Sequence, residues 1–194
     1  MSLNERAYSA LVVSGANDFN TAMASMLPKA NFQPAVYVKS VTEAQRAFAE
    51  REYDAVIINA PLKDDLGLRF AIDCSTSKKA VVLFLIQNEY HPEVCAKVEN
   101  YGVFTLPKPM SKQAMETALR WLFTAKVRFA KTEKISNKME DKMEEIRLVN
   151  KAKWLLISNE GLLEPEAHRY LEKEAMDRCI SKKEIAKEII DKYE

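Results

Sequence analysis

Glycine is scarce in this chain: there are four in 194 residues, beside three cysteines, two histidines and two tryptophans. So little glycine excludes a glycine-rich phosphate loop. Cys74, Cys95 and Cys179 are odd in number and widely spaced. They exclude a disulfide framework and read as reduced thiols, which points to a cytoplasmic location. His91 and His168 have no Cys-x-x-Cys companion, so each reads as a surface residue and no zinc site is expected. The serines lack a His/Asp pairing and the cysteines an activating neighbour. No enzyme and no cofactor are therefore expected. Met1–Tyr8 is polar with no long apolar run behind it, unlike a secretory signal. No segment approaches the length needed to span a membrane. Charge of either sign is also missing as an excess: 29 Lys and Arg stand against 28 Asp and Glu.

What is present is a regular alternation. Ala10–Val13, Ala35–Val38, Ala55–Ile58, Val81–Ile86 and Val103–Leu106 are short and rich in Val, Ile and Leu. Helical stretches near Thr21–Leu27, Val41–Glu50, Leu66–Cys74, Glu93–Tyr101 and Ser111–Leu122 separate them. This pattern predicts a doubly wound α/β domain, a parallel sheet with helices on both faces. Strands covered on both faces should be continuously apolar, as these are. Ligands in such folds sit beyond the carboxyl ends of the strands.

From Ser111 the chain reads as helix through Val149. Ile135, Met139, Lys142, Ile146 and Val149 alternate by four and three, the spacing of a coiled-coil seam. Lys142 occupies a core slot, and Arg128 and Thr132 fill upstream ones. One amphipathic helix packing on its own α/β domain would share this spacing. Val149–Ile190 then reads as three short helices. Leu148, Ala152, Leu155, Leu156 and Asn159 share one helical face, and Gly161 is placed to end that helix. Pro165 sits where a first helical turn tolerates it. Ala167, Tyr170, Leu171 and Ala175 make a second stripe. Ser181 and Glu184 form a capping box before Ile185, Ile189 and Tyr193.

The run Ala152-Lys153, then Glu166-Ala167-His168-Arg169-Tyr170-Leu171, Ala175-Met176-Asp177-Arg178 and Lys183-Glu184-Ile185-Ala186, resembles the ANTAR domain. That three-helix RNA-binding module is named for the AmiR and NasR transcription antitermination regulators. The resemblance covers roughly the last 55 residues. One departure is Trp154, where the family usually has glycine. The segment from about Ala7 to Trp121 resembles a response-regulator receiver domain. Its landmarks are Tyr53-Asp54-Ala55-Val56-Ile57-Ile58-Asn59-Ala60-Pro61-Leu62 and Leu106-Pro107-Lys108-Pro109. Together these resemblances predict an α/β plus all-α chain: a flavodoxin-like (βα)5 receiver at 7–121, a helical coiled-coil linker at 122–148 and an ANTAR domain at 149–194.

Receivers of this kind accept a phosphoryl group on an aspartate after the third strand. They bind magnesium on an acidic pair after the first, and carry Ser or Thr after the fourth and Lys-Pro after the fifth. Here those positions hold Asn59, Ser14 and Gly15, Ile86, and Lys108. Only Lys108 is retained. Magnesium wants carboxylate oxygens, and the first strand offers none. The receiver is therefore expected not to respond to aspartyl phosphorylation. Asp18, Asp64 and Asp65 could form a displaced site, but they occupy loop and helix-start positions that suit capping. Lys108 is expected to pair with Asp64 or Asp65, or to hydrogen-bond Asn59.

The ANTAR resemblance implies binding to RNA hairpin loops in a nascent transcript leader, by a homodimer paired through the stalk residues Ile135, Met139, Ile146 and Val149. Control would pass to a regulatory protein or a small ligand at the degenerate pocket. Charge gives RNA binding no help, since 14 Lys and Arg stand against 15 Asp and Glu from Ala130 to Glu194. Any basic face must come from arrangement. The candidate contacts are Lys151, Lys153, Trp154, Arg169, Lys173 and Arg178, with Lys182 and Lys183 as further cations. Trp154 lies roughly 200° from Ala152 at about 100° per residue, so it should face away from the three-helix core. An exposed indole beside Arg147, Asn150 and Lys151 would suit base stacking. Packing on a partner chain or on the receiver is the other reading, since large aromatics are usually hidden. A protein–protein interaction regulator that has lost RNA binding also fits the neutral charge.

Overall fold

The computed structural model describes residues 7–77 and 80–193. The chain divides into two compact units, Met1–Ala130 and Lys131–Glu194. The first holds strands β1 (Tyr8–Val13), β2 (Phe32–Val38), β3 (Ala55–Asn59), β4 (Val81–Gln87) and β5 (Phe104–Lys108). All pair in parallel, in the order β2-β1-β3-β4-β5. Between them run α1 (Asn17–Met26), α2 (Val41–Glu50), α3 (Leu68–Thr76) and α4 (His91–Val98). Helix α5 (Lys112–Glu160) follows, then α6 (Glu164–Asp177) and α7 (Lys182–Tyr193).

The period-2 alternation of strand side chains builds two cores. Along β3, Val56 and Ile58 face Val41 and Ala44 of α2, Phe70 and Cys74 of α3, and Val94 and Val98 of α4. Ala55 and Ile57 face Met23 and Met26 of α1 and Met115, Leu119 and Leu122 of α5. Two strands depart from the expected burial on both faces. The edge strands β2 and β5 are half-exposed over much of their length, because each has only one neighbour. An edge also tolerates Pro34, which has no N–H to donate.

Helix starts differ most from expectation, for local reasons. Helix α1 begins four residues before Thr21 on Ala16, which carries no side-chain cap and so no sequence signature. Helix α3 begins after Gly67, whose φ of +83° admits glycine readily. A Cβ there would stand 3.2 Å from Ile58. Helix α4 ends at Val98 and tightens into a 3-10 turn over Glu99–Tyr101, within the single helix expected to Tyr101.

In the second unit the C-terminal stretch of α5 from Leu148 packs with α6 and α7. Ala152, Leu156, Ala167, Leu171, Ala175, Ile185, Ala186, Ile189 and Ile190 are buried together. The small alanines let three short helices approach closely. Gly161, with φ +68°, closes α5 at its C-terminal side. Ser181 and Glu184 make the reciprocal cap: Glu184 N donates to Ser181 Oγ at 3.2 Å and Ser181 N to Glu184 Oε2 at 2.8 Å. Two expected inward residues face out instead: Tyr170 is 39% exposed, and Asn159 is exposed, its amide donating to Leu155 O. The expected boundary at 194 falls on Glu194, outside the described residues. Residues 122–148 are helical throughout, within α5.

Candidate functional site

Loops following β1, β3 and β5 close around a pocket of about 360 Å³, lined by Gly15, Ala16, Asn59, Pro61, Leu62, Lys63 and Lys108. Its floor is a chain of polar contacts. Lys108 Nζ donates to Asn59 Oδ1 at 2.7 Å and to the Ala60 carbonyl. Asn59 Nδ2 donates to Ser14 Oγ at 3.0 Å, and that oxygen also accepts from Ala16 N at 3.2 Å. Ser14 is fully buried. Burial holds the Lys108 ammonium below the usual lysine range.

Of the degenerate receiver positions, the structure brings Ser14, Gly15, Asn59 and Lys108 together. Ile86 is apart from them: it is buried in the core shared with α3 and α4 and does not line the pocket. Lys63 lines the pocket without a sequence motif to mark it; its one signal is its place just past the third apolar run. The residues do not fit magnesium. The pocket lining contains no carboxylate, and a hard divalent cation binds through oxygens of that type. Among the described residues, no group of three or more His, Cys, Asp or Glu is placed to hold a metal.

The neighbouring acids have structural tasks. Asp64 accepts from Val41 N and Thr42 N, both at 3.0 Å, and so caps α2. Those N–H bonds, that of Thr42 first, lower its pKa. Asp65 accepts from Gly67 N at 2.6 Å. Asp18 sits in the first turn of α1 and is exposed. Lys108 contacts neither Asp64 nor Asp65; Asn59 is its side-chain partner. Elsewhere in this unit burial pushes the Cys74 thiol up to about 12, and all three cysteines are free.

In the second unit ion pairs engage several of the candidate cations. Lys153 meets Glu164 at 2.9 Å with its own side chain only 16% exposed. Arg178 pairs with both oxygens of Glu188, Lys182 with Glu172 at 2.5 Å, and Lys183 with Glu144. These contacts lower the pKa values of Glu164, Glu188, Glu172 and Glu144. Lys151 also has an interaction partner. Arg169 and Lys173, one turn apart on α6, are exposed and carry no ion pair among the described residues. Trp154 is 71% exposed, away from the three-helix core as its helical phase predicts. Arg147 and Asn150, on its side of α5, are exposed as well.

Every side chain from Lys131 to Glu144 is exposed. Within and just beyond that stretch, Ile135, Met139, Met143 and Ile146 lie on one side of α5 by their spacing. The seam read from sequence placed Lys142 on this stripe and missed Met143, its neighbour in the helix. Val149, expected on the same stripe, is half-buried and packs against the three-helix core. No helix among the described residues is long and apolar enough to cross a membrane.

Comparison with known proteins accords with this division. Residues 137–190 match the ANTAR domain family. None of the curated proteins matches the chain. Solved structures are similar over the first unit. One is the signal receiver domain of an HD domain-containing protein from Pseudomonas fluorescens, at 20% identity and TM-score 0.58, covering 68% of this chain and 97% of that one. A response regulator receiver domain protein from Clostridium thermocellum is 18% identical with TM-score 0.53, covering 61% and 96%. Chemotaxis protein CheY4 of Vibrio cholerae is 16% identical with TM-score 0.51, covering 59% and 98%. The chain thus carries a match to the ANTAR domain over residues 137–190, behind a first unit with the fold of solved receiver domains.

Proposed function

We propose that this protein is an RNA-binding regulator of transcription antitermination that acts without aspartyl phosphorylation. The observation that carries the reading is the ANTAR match over residues 137–190. Within that segment, Trp154 is exposed, and Arg169 and Lys173 keep free cationic heads on α6. Unstacked bases of a hairpin loop are recognised by stacking on aromatics and by cationic side chains. Binding one RNA fold in preference to another would exclude a terminator hairpin and let polymerase read through, with no catalytic step. The protein would act in the cytoplasm on a nascent leader.

The exposed stripe Ile135, Met139, Met143 and Ile146 supports pairing of two chains along α5, which would present two three-helix tips to adjacent loops. Asn59 at the acceptor position, with no carboxylate in the pocket, supports loss of the phosphoryl switch. Control by a partner protein or a small ligand follows from that loss.

A filter-binding titration against hairpin-loop RNA at several salt concentrations tests the reading. The affinity should fall with salt, since each phosphate contact contributes about −0.7 to −0.9 to the slope. Failure to bind any stem-loop at low ionic strength would end the proposal. The internal pairing of Lys153, Arg178, Lys182 and Lys183 favours a second reading, a regulator that works through protein contacts alone. Dimerisation without RNA affinity would select it.

A further inference from the structure

We propose that the pocket bounded by Asn59, Lys63 and Lys108 binds a phosphate-type oxyanion non-covalently. In a site built for phosphoryl transfer, a lysine stands against several carboxylates and a metal. Here each acidic position is neutral: Ser14, Gly15 and Asn59. Lys108 remains, and it makes no ion pair among the described residues. Its partners, the Asn59 amide oxygen and the Ala60 carbonyl, are both uncharged. An ammonium has three protons, and these two acceptors use two. The third is left for a ligand.

Lys63 adds a second cation to a lining that contains no acid. The nearby aspartates do not compensate, because Asp64 is engaged by the backbone of α2 and Asp65 by Gly67 N. Burial already holds the Lys108 proton more loosely than in water, so an anion that restores its charge balance gains accordingly. Helix α1 contributes as well. Its N-cap, Ala16, lines the pocket and offers no side-chain cap, so first-turn N–H groups are left without one. Asp18 is the carboxylate of that turn, and it lies outside the lining. The lining suits an anion and not a cation. Inorganic phosphate or the phosphate group of a small metabolite would satisfy it, and about 360 Å³ accommodates either.

The proposal is independent of the RNA reading, since a chain that ignored every hairpin would still take phosphate here. Isothermal titration of the full chain with inorganic phosphate, and separately with glycerol phosphate, tests it against chloride at equal ionic strength. Saturable binding of phosphate but not chloride is expected. Lys108→Met should weaken it by about tenfold or more, through loss of a charge-assisted contact. Lys63→Ala should weaken it less. Asn59→Asp, which keeps the side-chain shape, should abolish it by giving Lys108 a carboxylate. Tighter binding of the ester would identify a metabolite as the source, and equal or weaker binding would identify free phosphate. Absence of saturable binding, or binding that survives both Lys108→Met and Asn59→Asp, would overturn the proposal.

Discussion

The Nζ of Lys108 stands 2.7 Å from Oδ1 of Asn59, a cation held by an amide where a carboxylate would have balanced it. The amide cannot form an acyl phosphate, and the pocket has no carboxylate to hold magnesium. Incubation with acetyl phosphate and magnesium, followed by intact-mass measurement, should leave the mass unchanged. A stable phosphoryl adduct that disappears on replacing Asp18, Asp64 or Asp65 would contradict this.

Asp64 makes stability depend on acid. Its carboxylate is favoured in the folded chain by the N–H groups of Thr42 and Val41, so its folded pKa lies below the ordinary 3.8. The stability it contributes is fully present above that value and is lost as pH falls through the lowered folded pKa. Asp64→Asn should therefore lower Tm at neutral pH, and the gap from wild type should close as the pH drops below about 4. A gap that widened in acid would reverse the sign of the argument.

Leu156 is 1% exposed at the centre of the three-helix core. Leu156→Ala should destabilise the second unit by about 2–5 kcal/mol, the usual cost of truncating a buried leucine. Urea unfolding followed by circular dichroism would detect an early loss of helix.

Much of this architecture is legible in the residues themselves. Val56 and Ile58 alternate with Ala55 and Ile57, and that alternation becomes two cores on opposite faces of one sheet. Ser181 and Glu184 announce the start of α7 three residues apart. Other features leave no local trace. Ala16 begins α1 without a cap, so nothing in its side chain marks the helix start. Tyr170 fits an inward stripe by spacing, yet this large ring with a hydroxyl stays 39% exposed beside a core of alanine, leucine and isoleucine. The pairing of Lys153 with Glu164 and of Arg178 with Glu188 joins residues from different helices, which periodicity along one helix cannot reveal. For the same reason Lys63 joins the pocket unannounced.

Trp154 lies outside the three-helix core, so replacing it should spare folding. Trp154→Ala should leave Tm nearly unchanged while weakening hairpin RNA binding by roughly 5- to 150-fold, the equivalent of ~1–3 kcal/mol of base stacking. Unchanged RNA affinity would end the stacking role, and loss of dimer instead would assign the indole to a partner chain.

Met139 and Ile146 are 62% and 53% exposed on the stripe of α5. Analytical ultracentrifugation should find a dimer for the native chain and a monomer for Met139→Glu. A native monomer at tens of micromolar, about the range where a modest coiled coil still pairs, would remove the stripe from consideration.

Ser14 constrains what this pocket can hold. Its hydroxyl is fully buried between Asn59 and Ala16 N. Phosphoryl chemistry in this pocket would need acids at positions 14, 15 and 59 together. Aspartate at 14 alone would lodge a charge where a small hydroxyl now fits, and aspartate at 59 alone would face Lys108 with no metal site beside it. Neither single change completes a site. The hydroxyl of Ser14 thus fixes the neutral character of this pocket, because no single substitution supplies both a nucleophile and a place for a metal.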